Sequence, residues 1–263
     1  MTQLQADLGI ALLAAHVISD FLLQTERTVE AKKRIRVLVG HCVVVALLSY
    51  LLVGLWTVWQ IPLAVFVTHL LMDYAKRRWL APRLRSFAVD QVVHLGVIAV
   101  LVWAVPRMID VAQSSFWNDA TSVHFYQWLL GVVGFLTATF AGSVLVGLAI
   151  KPFQRQAVQE GGVTVLSNSA SPSRDGFPEG GRLIGLLERA LIFVLVVAGQ
   201  PAAIGFLIAA KSILRFGEIG KGADRKDIEY ILIGTLMSFL VAVAVSYLTR
   251  LGFVEYGSSW PVS

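Results

Sequence analysis

Histidine and aspartate recur with the same spacing in two stretches of the sequence. The pattern H-x3-D-[FY]-x19-H occurs twice, with an offset of 53 residues. Its members are His16, Asp20, His41, His69, Asp73 and His94. Residues four apart share one face of a helix, so each aspartate can point the same way as the histidine before it. Imidazole and carboxylate together are the ligands of zinc, manganese or non-haem iron. Each copy offers three such ligands, which leaves a coordination position open for water, as in catalytic metal sites.

Asp90 belongs to the same set of polar groups but lies outside the repeat, because Val37 takes its place in the first copy. We predict that the six repeated residues bind one or two divalent transition ions, zinc first, with manganese or iron as alternatives. A pair of ions would hold the attacking and the leaving oxygen of a hydrolytic reaction. Asp90 is predicted to be catalytic as a general base that activates water. It could instead bridge two metals or orient a ligand from outside the coordination sphere.

The elements that carry these residues are predicted to be membrane-spanning helices. Hydrophobic residues are 56% of the 263-residue chain and charged residues 15%, whereas soluble domains have about 25% charged residues. A soluble domain, a disordered chain and a coiled coil are therefore excluded, and the single cysteine excludes an intrachain disulfide. A span needs roughly 17–25 apolar residues. Spans are predicted near 7–23, 37–56, 60–75, 87–105, 127–150, 183–199, 202–216 and 229–249.

The predicted fold class is therefore an all-α, polytopic membrane protein with about eight transmembrane helices. Seven is the alternative, because the sixth and seventh spans are short and could form one broken helix or a re-entrant pair. The repeated pattern predicts that residues 7–104 are a tandem repeat of two-helix hairpins.

Three domains are expected along the chain. Residues 1–106 form a four-span domain with the His/Asp cluster. Residues 107–182 comprise an outer interfacial segment, the fifth span and a cytoplasmic linker, and residues 183–263 form a three-span C-terminal part. In the middle domain, His124, Trp117, Phe125 and Tyr126 are predicted to lie at the membrane interface.

Charge predicts the orientation. Nineteen of the 22 lysines and arginines fall in four alternate connections, at 24–36, 76–86, 151–182 and 211–229. Short loops rich in lysine and arginine stay in the cytoplasm, so we expect a bacterial inner-membrane protein with both termini in the periplasm. The His/Asp cluster would then lie about 4–12 Å inside the cytoplasmic boundary, at 1.5 Å per helical residue. A nucleic-acid groove would need a basic patch with stacking aromatics, and the sequence shows none.

Three functions agree with this arrangement, because ionisable groups inside a membrane face protein or a wet cavity. The first is a metal-dependent hydrolase that reaches a lipid-like or amphiphilic ester or phosphoester from the cytoplasmic leaflet. The second is a proton- or cation-coupled transporter in which the same residues relay protons. The third is a structural scaffold for a membrane partner. The expected partners are membrane lipid and a small amphiphilic or anionic substrate, and the oligomeric state is left open.

A second polar set lies in the last third of the chain. Glu188 and Arg189 open the sixth span, and Lys211 and Arg215 close the seventh. We predict that these residues bind substrate: Glu188 could pair with Lys211, while Arg189 and Arg215 hold an anionic group. The alternative is that the basic side chains extend to the lipid headgroups. Lys211 or Arg189 is also predicted to be the cationic complement of the aspartates in the first domain.

Several motifs in order resemble one family. They are His16-x3-Asp20-Phe-Leu-Leu-Gln24-Thr, His69-x3-Asp73, Asp90-Gln91-x2-His94, Gly181-Arg-Leu-Ile-Gly-x-Leu-Glu188-Arg189 and Ile208-Ala-Ala-Lys211-Ser. The chain resembles a bacterial inner-membrane family catalogued as domain of unknown function 3307, with the N-terminal motif as its defining domain. The resemblance implies the fold and the compartment. The H-x3-D helices are also similar to those of membrane-bound metal-dependent hydrolases and all-helical zinc phosphoesterases, which is an analogy of ligand spacing.

Overall fold

The computed structural model describes residues 2–24, 32, 34–79, 83–108, 115–117, 124–159, 180–219 and 225–256. Within these ranges every regular element is a helix. The chain divides into two compact units, Met1–Leu136 (unit 1) and Thr137–Ser263 (unit 2). The division expected from the sequence had three parts, and it stays a prediction.

Among the described residues, five helices are long and apolar enough to cross a membrane. They are Gln3–Leu22, Ile35–Val53, Leu84–Met108, Phe125–Phe153 and Glu229–Glu255. This finding agrees with a membrane protein. The other predicted spans also coincide with helices, but these are shorter or carry several charges within the apolar run. The count of eight and the two-hairpin repeat therefore stay predictions, as do the type of membrane and the orientation of the termini.

Unit 1 contains five helices in its described part. They are α1 (Gln3–Val17), α2 (Ile35–Val53), α3 (Gln60–Trp79), α4 (Leu84–Met108) and α5 (His124–Leu136). Consecutive helices from α1 to α4 pack against one another and α4 packs back on α1, so the four form a closed ring. Three alanines of α1, Ala11, Ala14 and Ala15, are completely buried. Small residues at helix contacts let the backbones approach closely, which is how helices associate in membranes.

The end of α1 departs from regular helix. Residues Ile18–Leu22 form one turn of π-helix, in which the amide of Leu23 donates to the carbonyl of Ile18 at 2.9 Å. A π turn holds one residue more than an α turn and so re-aims the side chains that it carries, and such turns are frequent at functional sites. Asp20 lies in the middle of this turn.

The C-terminal end of α2 is closed by residues that follow α4. Gly54 ends α2 with a left-handed φ of 66°, and its carbonyl accepts from the amide of Phe116 at 3.0 Å. The hydroxyl of Ser115 donates to the carbonyl of Val53 at 2.8 Å, and the indole of Trp117 donates to that of Leu51, also at 2.8 Å. These bonds satisfy carbonyls that the helix end leaves without partners.

Tyr126, which the sequence predicts at the membrane interface, is 1% exposed and packs inside the protein. Its depth in a membrane stays a prediction. Its hydroxyl donates to that of Ser115 at 2.6 Å and lies 3.2 Å from the carbonyl oxygen of Val53. The hydroxyl is thus satisfied inside the protein and needs no contact with water. Phe125 is half-buried and its ring stacks on that of Trp117, while the side chain of His124 lies outside those that the structure describes.

Unit 2 begins with a second π turn, Thr137–Ala141, which is followed by four described helices. They are α6 (Gly142–Gln159), α7 (Gly180–Val197), α8 (Ile204–Ile219) and α9 (Arg225–Glu255). The long α9 packs against α6 and α7 around a core that contains Ile192, Val196, Phe239 and Ala242. Gly199, with φ 76°, lies in the break between α7 and the 3-10 turn Pro201–Ala203 that precedes α8.

Candidate metal centre

All seven histidines and aspartates of the predicted cluster lie in unit 1, near the end at which α1 and α3 finish and α2 and α4 begin. They come from all four helices of the ring, with His16 and Asp20 on α1 and its π turn, His41 on α2, His69 and Asp73 on α3, and Asp90 and His94 on α4. Asp20 and His41 are half-buried and the other five are buried. The structure therefore brings together every residue that the spacing predicted to share a site.

Three of these residues form a close group, which we call site A: Asp20, His41 and His69. The Nε2 atoms of His41 and His69 are 3.1 Å apart. Oδ1 of Asp20 lies 3.1 Å from His41 Nε2 and 3.5 Å from His69 Nε2. Ligand atoms on a tetrahedral zinc ion, with bonds of about 2.0–2.2 Å, are separated by about 3.3–3.5 Å. The three distances in site A are close to that separation.

The number of protons available in site A also indicates that a cation could lie among its members. A neutral imidazole carries one N–H, and an ionised carboxylate only accepts. With two ring nitrogens and one carboxylate oxygen in mutual contact, the lone pairs outnumber the protons that could lie between them. Such a group is stable when a cation or an additional proton lies among its members.

Asp73 stands at the edge of site A. Its Oδ2 is 4.0 Å from His41 Nε2 and 3.9 Å from His69 Nε2. The same oxygen accepts a hydrogen bond from Lys32 Nζ at 2.7 Å, and Lys32 also donates to the side-chain carbonyl of Gln24 at 2.7 Å. Asp73 is thus held by a lysine on one side and faces the site on the other.

A second group, site B, contains His16, His69 and His94. One ring nitrogen from each lies within 4.8 Å of those of the other two. The rings of His16 and His94 are stacked, with centroids 4.8 Å apart and planes 19° apart. A cavity of about 20 Å³ borders all three rings and is lined further by Leu12, Ser49 and other residues from the four helices. His69 belongs to both sites, so the ligand groups mix residues from the two copies of the repeated pattern.

Asp90, which the sequence predicted as a catalytic base, has other contacts. Its Oδ2 accepts from Lys76 Nζ at 2.6 Å and from the side-chain amide of Gln91 at 3.2 Å. Its Oδ1 lies 3.6 Å from His94 Nδ1. These contacts are those of a group that orients a ligand from outside the coordination sphere, which is one of the three roles considered for it.

Lys32, Lys76 and Gln91 are site residues to which sequence analysis gave no role. The two lysines were counted among the basic loops, and Gln91 was only a motif residue. A buried carboxylate requires a cationic partner or a strong hydrogen-bond donor. Lys32 precedes α2, and Lys76 lies in the last turn of α3. Asp73 and Asp90 therefore receive their cationic complement from Lys32 and Lys76. Lys211 and Arg189 lie in unit 2, and their predicted role as the cationic complement of these aspartates stays a prediction.

The second polar set lies in unit 2. Lys211 forms an ion pair with Glu188, as the sequence indicated. Arg189 is 3% exposed, and its guanidinium donates to the carbonyl of Thr139 at 3.2 Å and to the hydroxyl of Ser238 at 2.9 Å. Arg215 lies on α8, and its side chain is outside those that the structure describes. Binding of substrate by these four residues stays a prediction.

Comparison with known proteins agrees with one part of the sequence analysis. Residues 8–123 match the family model described as "Protein of unknown function (DUF3307)", a range that includes every residue of sites A and B. The resemblance to this family is confirmed, whereas the likeness to metal-dependent hydrolases is not shown. No curated protein and no solved structure matches the chain.

Proposed function

We propose that residues 8–123, which match the model of this family, form a membrane-embedded, metal-dependent hydrolase whose catalytic ion binds at site A. One observation carries the proposal. Two histidine nitrogens and one carboxylate oxygen, on three different helical segments, converge to within 3.1–3.5 Å of one another inside a ring of apolar helices. Buried ionisable groups are costly in a membrane and are kept there for function.

The residues around the ion would have different roles in hydrolysis. Three protein ligands leave one coordination position open. A divalent transition ion in such a site acidifies a bound water and polarises a carbonyl or phosphoryl oxygen. Asp73 is the nearest carboxylate outside the ligand set, so we assign to it the orientation of the attacking water. Asp90, which contacts His94 and Lys76, would support the histidine layer instead.

The position of Lys32 favours an anionic substrate. Its ammonium lies beside Asp73, at 2.7 Å from the oxygen that faces site A. A fixed positive charge at this position would stabilise negative charge that develops on the substrate during hydrolysis. Lys76, 39% exposed at its side chain, lies at the same end of the ring. An amphiphile with an ester or phosphoester head could then place its head near the lysines and its tail among the lipids.

A transporter would use similar residues. The sites of transporters usually lie near the bilayer midplane at interrupted helices. Asp73 contacts Lys32, which precedes α2, and Asp90 contacts Lys76 in the last turn of α3. These contacts favour a site open to one face. A scaffold would retain the fold without any metal, so metal analysis tests that alternative as well.

The test is metal analysis of the purified full-length chain after exchange with zinc. We expect at least one zinc per chain in the wild type, and one fewer in His41→Ala. The matched control is His124→Ala. The backbone of His124 lies near Tyr126, which contacts the C-terminal end of α2, whereas His41 lies near the beginning of α2.

Activity is measured on the same proteins. Amphiphilic carboxylic esters and phosphoesters in mixed micelles serve as substrates, with and without zinc. Absence of stoichiometric zinc in the wild type, or an unchanged content in His41→Ala, would remove the proposal. Zinc-independent uptake of a cation into vesicles that is lost in Asp73→Asn would favour the transporter.

A further inference from the structure

We propose that site B is a second cation site, made only of histidines and prepared for a transition ion by hydrogen bonds from α4. The inference deepens the proposed function and shares His69 with site A. Its evidence is independent of site A, because it comes from the hydrogen-bond partners of His16 and His94.

The tautomer of His16 follows from Gln91. The side-chain amide nitrogen of Gln91 donates to Oδ2 of Asp90 at 3.2 Å, and that carboxylate also accepts from the ammonium of Lys76. The amide is therefore oriented with its oxygen toward His16 Nε2, at 3.2 Å. An amide oxygen only accepts, so His16 carries its proton on Nε2. The lone pair is left on Nδ1, which is buried and has no hydrogen-bond partner among the described residues.

The tautomer of His94 follows from the backbone. Its Nδ1 lies 2.8 Å from the carbonyl oxygen of Asp90, one turn earlier on α4. A carbonyl oxygen only accepts, so the proton is on Nδ1 and the lone pair on Nε2. That nitrogen is also buried without a hydrogen-bond partner in the described part of the chain.

Two buried, unpaired ring nitrogens in one layer need a physical reason. Leaving a buried acceptor unsatisfied destabilises the folded chain, and native proteins contain few such groups. Histidines that bind metals characteristically donate their other N–H to a carbonyl, a carboxylate or another outer partner, which fixes the ring and points the lone pair at the ion. Both His16 and His94 have such an outer partner, which is the side-chain oxygen of Gln91 for His16 and the backbone carbonyl of Asp90 for His94.

The chemistry of the ligands indicates the ion. Three imidazoles without a carboxylate select zinc, cobalt, nickel or copper over magnesium and calcium. Three histidines and one water form a known zinc geometry. The cavity of about 20 Å³ that borders the three rings exceeds the roughly 10–15 Å³ that one water requires. Asp20 and Asp90 flank the layer, at 3.6 Å from His16 Nδ1 and from His94 Nδ1 respectively, and would offset the charge of the ion.

The experiment isolates site B by disabling site A. Cobalt(II) is titrated into the metal-free chain carrying Asp20→Asn and His41→Asn, and binding is followed by its visible d–d absorption. We expect one cobalt per chain. Two further changes should each abolish that binding. His94→Asn keeps an amide donor for the backbone carbonyl, and His16→Gln keeps one for Gln91, so each removes the ligand nitrogen with little disturbance of the network.

Glutamine variants separate positioning from folding. Gln91→Leu should weaken cobalt binding about 10–100-fold, the usual effect of losing an outer partner of a metal ligand. Gln24→Leu is the matched control, since Gln24 accepts a hydrogen bond from Lys32, which lies outside site B, and it should leave the affinity unchanged. A role of Gln91 in stability alone would lower the melting temperature without changing the affinity.

Two results would overturn the inference. One is that the site A variant is folded by thermal melting and binds no cobalt. The other is that His94→Asn leaves the bound cobalt unchanged. If the site A variant does not fold, His94→Asn in the otherwise wild-type chain decides the matter, because it should remove one bound equivalent. If the zinc content is unchanged in His41→Ala while the site A variant still binds cobalt, the proposed function is contradicted and the inference about site B is supported.

Discussion

The ion pair between Lys32 and Asp73 allows the sharpest test of how the centre is held together. Lys32 Nζ lies 2.7 Å from Asp73 Oδ2, and the two side chains are 12% and 8% exposed. Lys32→Met keeps most of the aliphatic stem and removes the charge. The change leaves a buried carboxylate beside site A without its cation.

The cost can be estimated from the burial of the pair. Removing one partner of a buried ion pair destabilises a protein by about 3–5 kcal/mol, because the remaining charge is uncompensated. For a chain of this size, each kcal/mol corresponds to about 2–4 °C in melting temperature. In the metal-free protein, Lys32→Met should therefore lower the melting temperature by about 6–20 °C.

Thermal melting in detergent with a chelator present measures this effect. Arg36→Met is the control, since Arg36 is exposed on α2 and exposed charges contribute about 0–1 kcal/mol. Adding Asp73→Asn to Lys32→Met should restore more than half of the loss, because the unpaired charge is then gone. A single variant that melts within about 2 °C of the wild type, or a double variant no more stable than the single, would refute the reasoning.

Three further outcomes are expected. Gly54→Ala should lower the free energy of unfolding by at least about 1–2 kcal/mol from the left-handed backbone alone, and a Cβ there would lie 2.7 Å from Trp117 Cδ1. Chemical denaturation measures this free energy. An unchanged value would contradict the turn geometry. Ser115→Ala should lower the free energy of unfolding by about 1–3 kcal/mol. When it is combined with Tyr126→Phe, the total loss should be less than the sum of the two single losses. Fully additive losses in a double-mutant cycle would contradict a hydrogen bond between the two hydroxyls. Chelation should lower the melting temperature of the wild type more than that of His41→Ala, since a bound ion stabilises only the folded chain; equal shifts would mean that His41 binds no ion.

Local patterns in the sequence were enough to predict several features. The excess of apolar residues predicted helices suited to a membrane, since hydropathy depends on composition and not on contacts. The recurrence of histidine and aspartate at fixed spacing, with the position of Asp90 one turn before His94, predicted that seven side chains share one layer. The ring of α1 to α4 brings all seven together. The i, i+4 relation of His16 and Asp20 places both on one face of a single helix, so it needed no knowledge of other helices.

The grouping of these residues depended on the tertiary structure. The spacing suggested one set of three ligands from each copy, but site A takes Asp20 and His41 from the first copy and His69 from the second. Contacts between helices are set by their rotation and axial shift, which periodicity along one helix does not specify. The π turn of Ile18–Leu22 also changes the direction of the side chains that it carries, and no residue type within it predicts such a turn.

The partners of the aspartates were also decided by the fold. Lys32 and Lys76 look like ordinary members of basic loops in the sequence, and long side chains near a helix end can turn toward lipid, water or protein. Which direction each takes depends on whether a buried carboxylate lies within reach, and only the packed ring determines that. The same holds for Gln91, whose amide fixes the proton of His16 through an orientation that depends on Asp90 and Lys76 together. Sequence thus determined which groups are present in the His/Asp cluster, while tertiary packing determined their partners, because those depend on distances between separate helices.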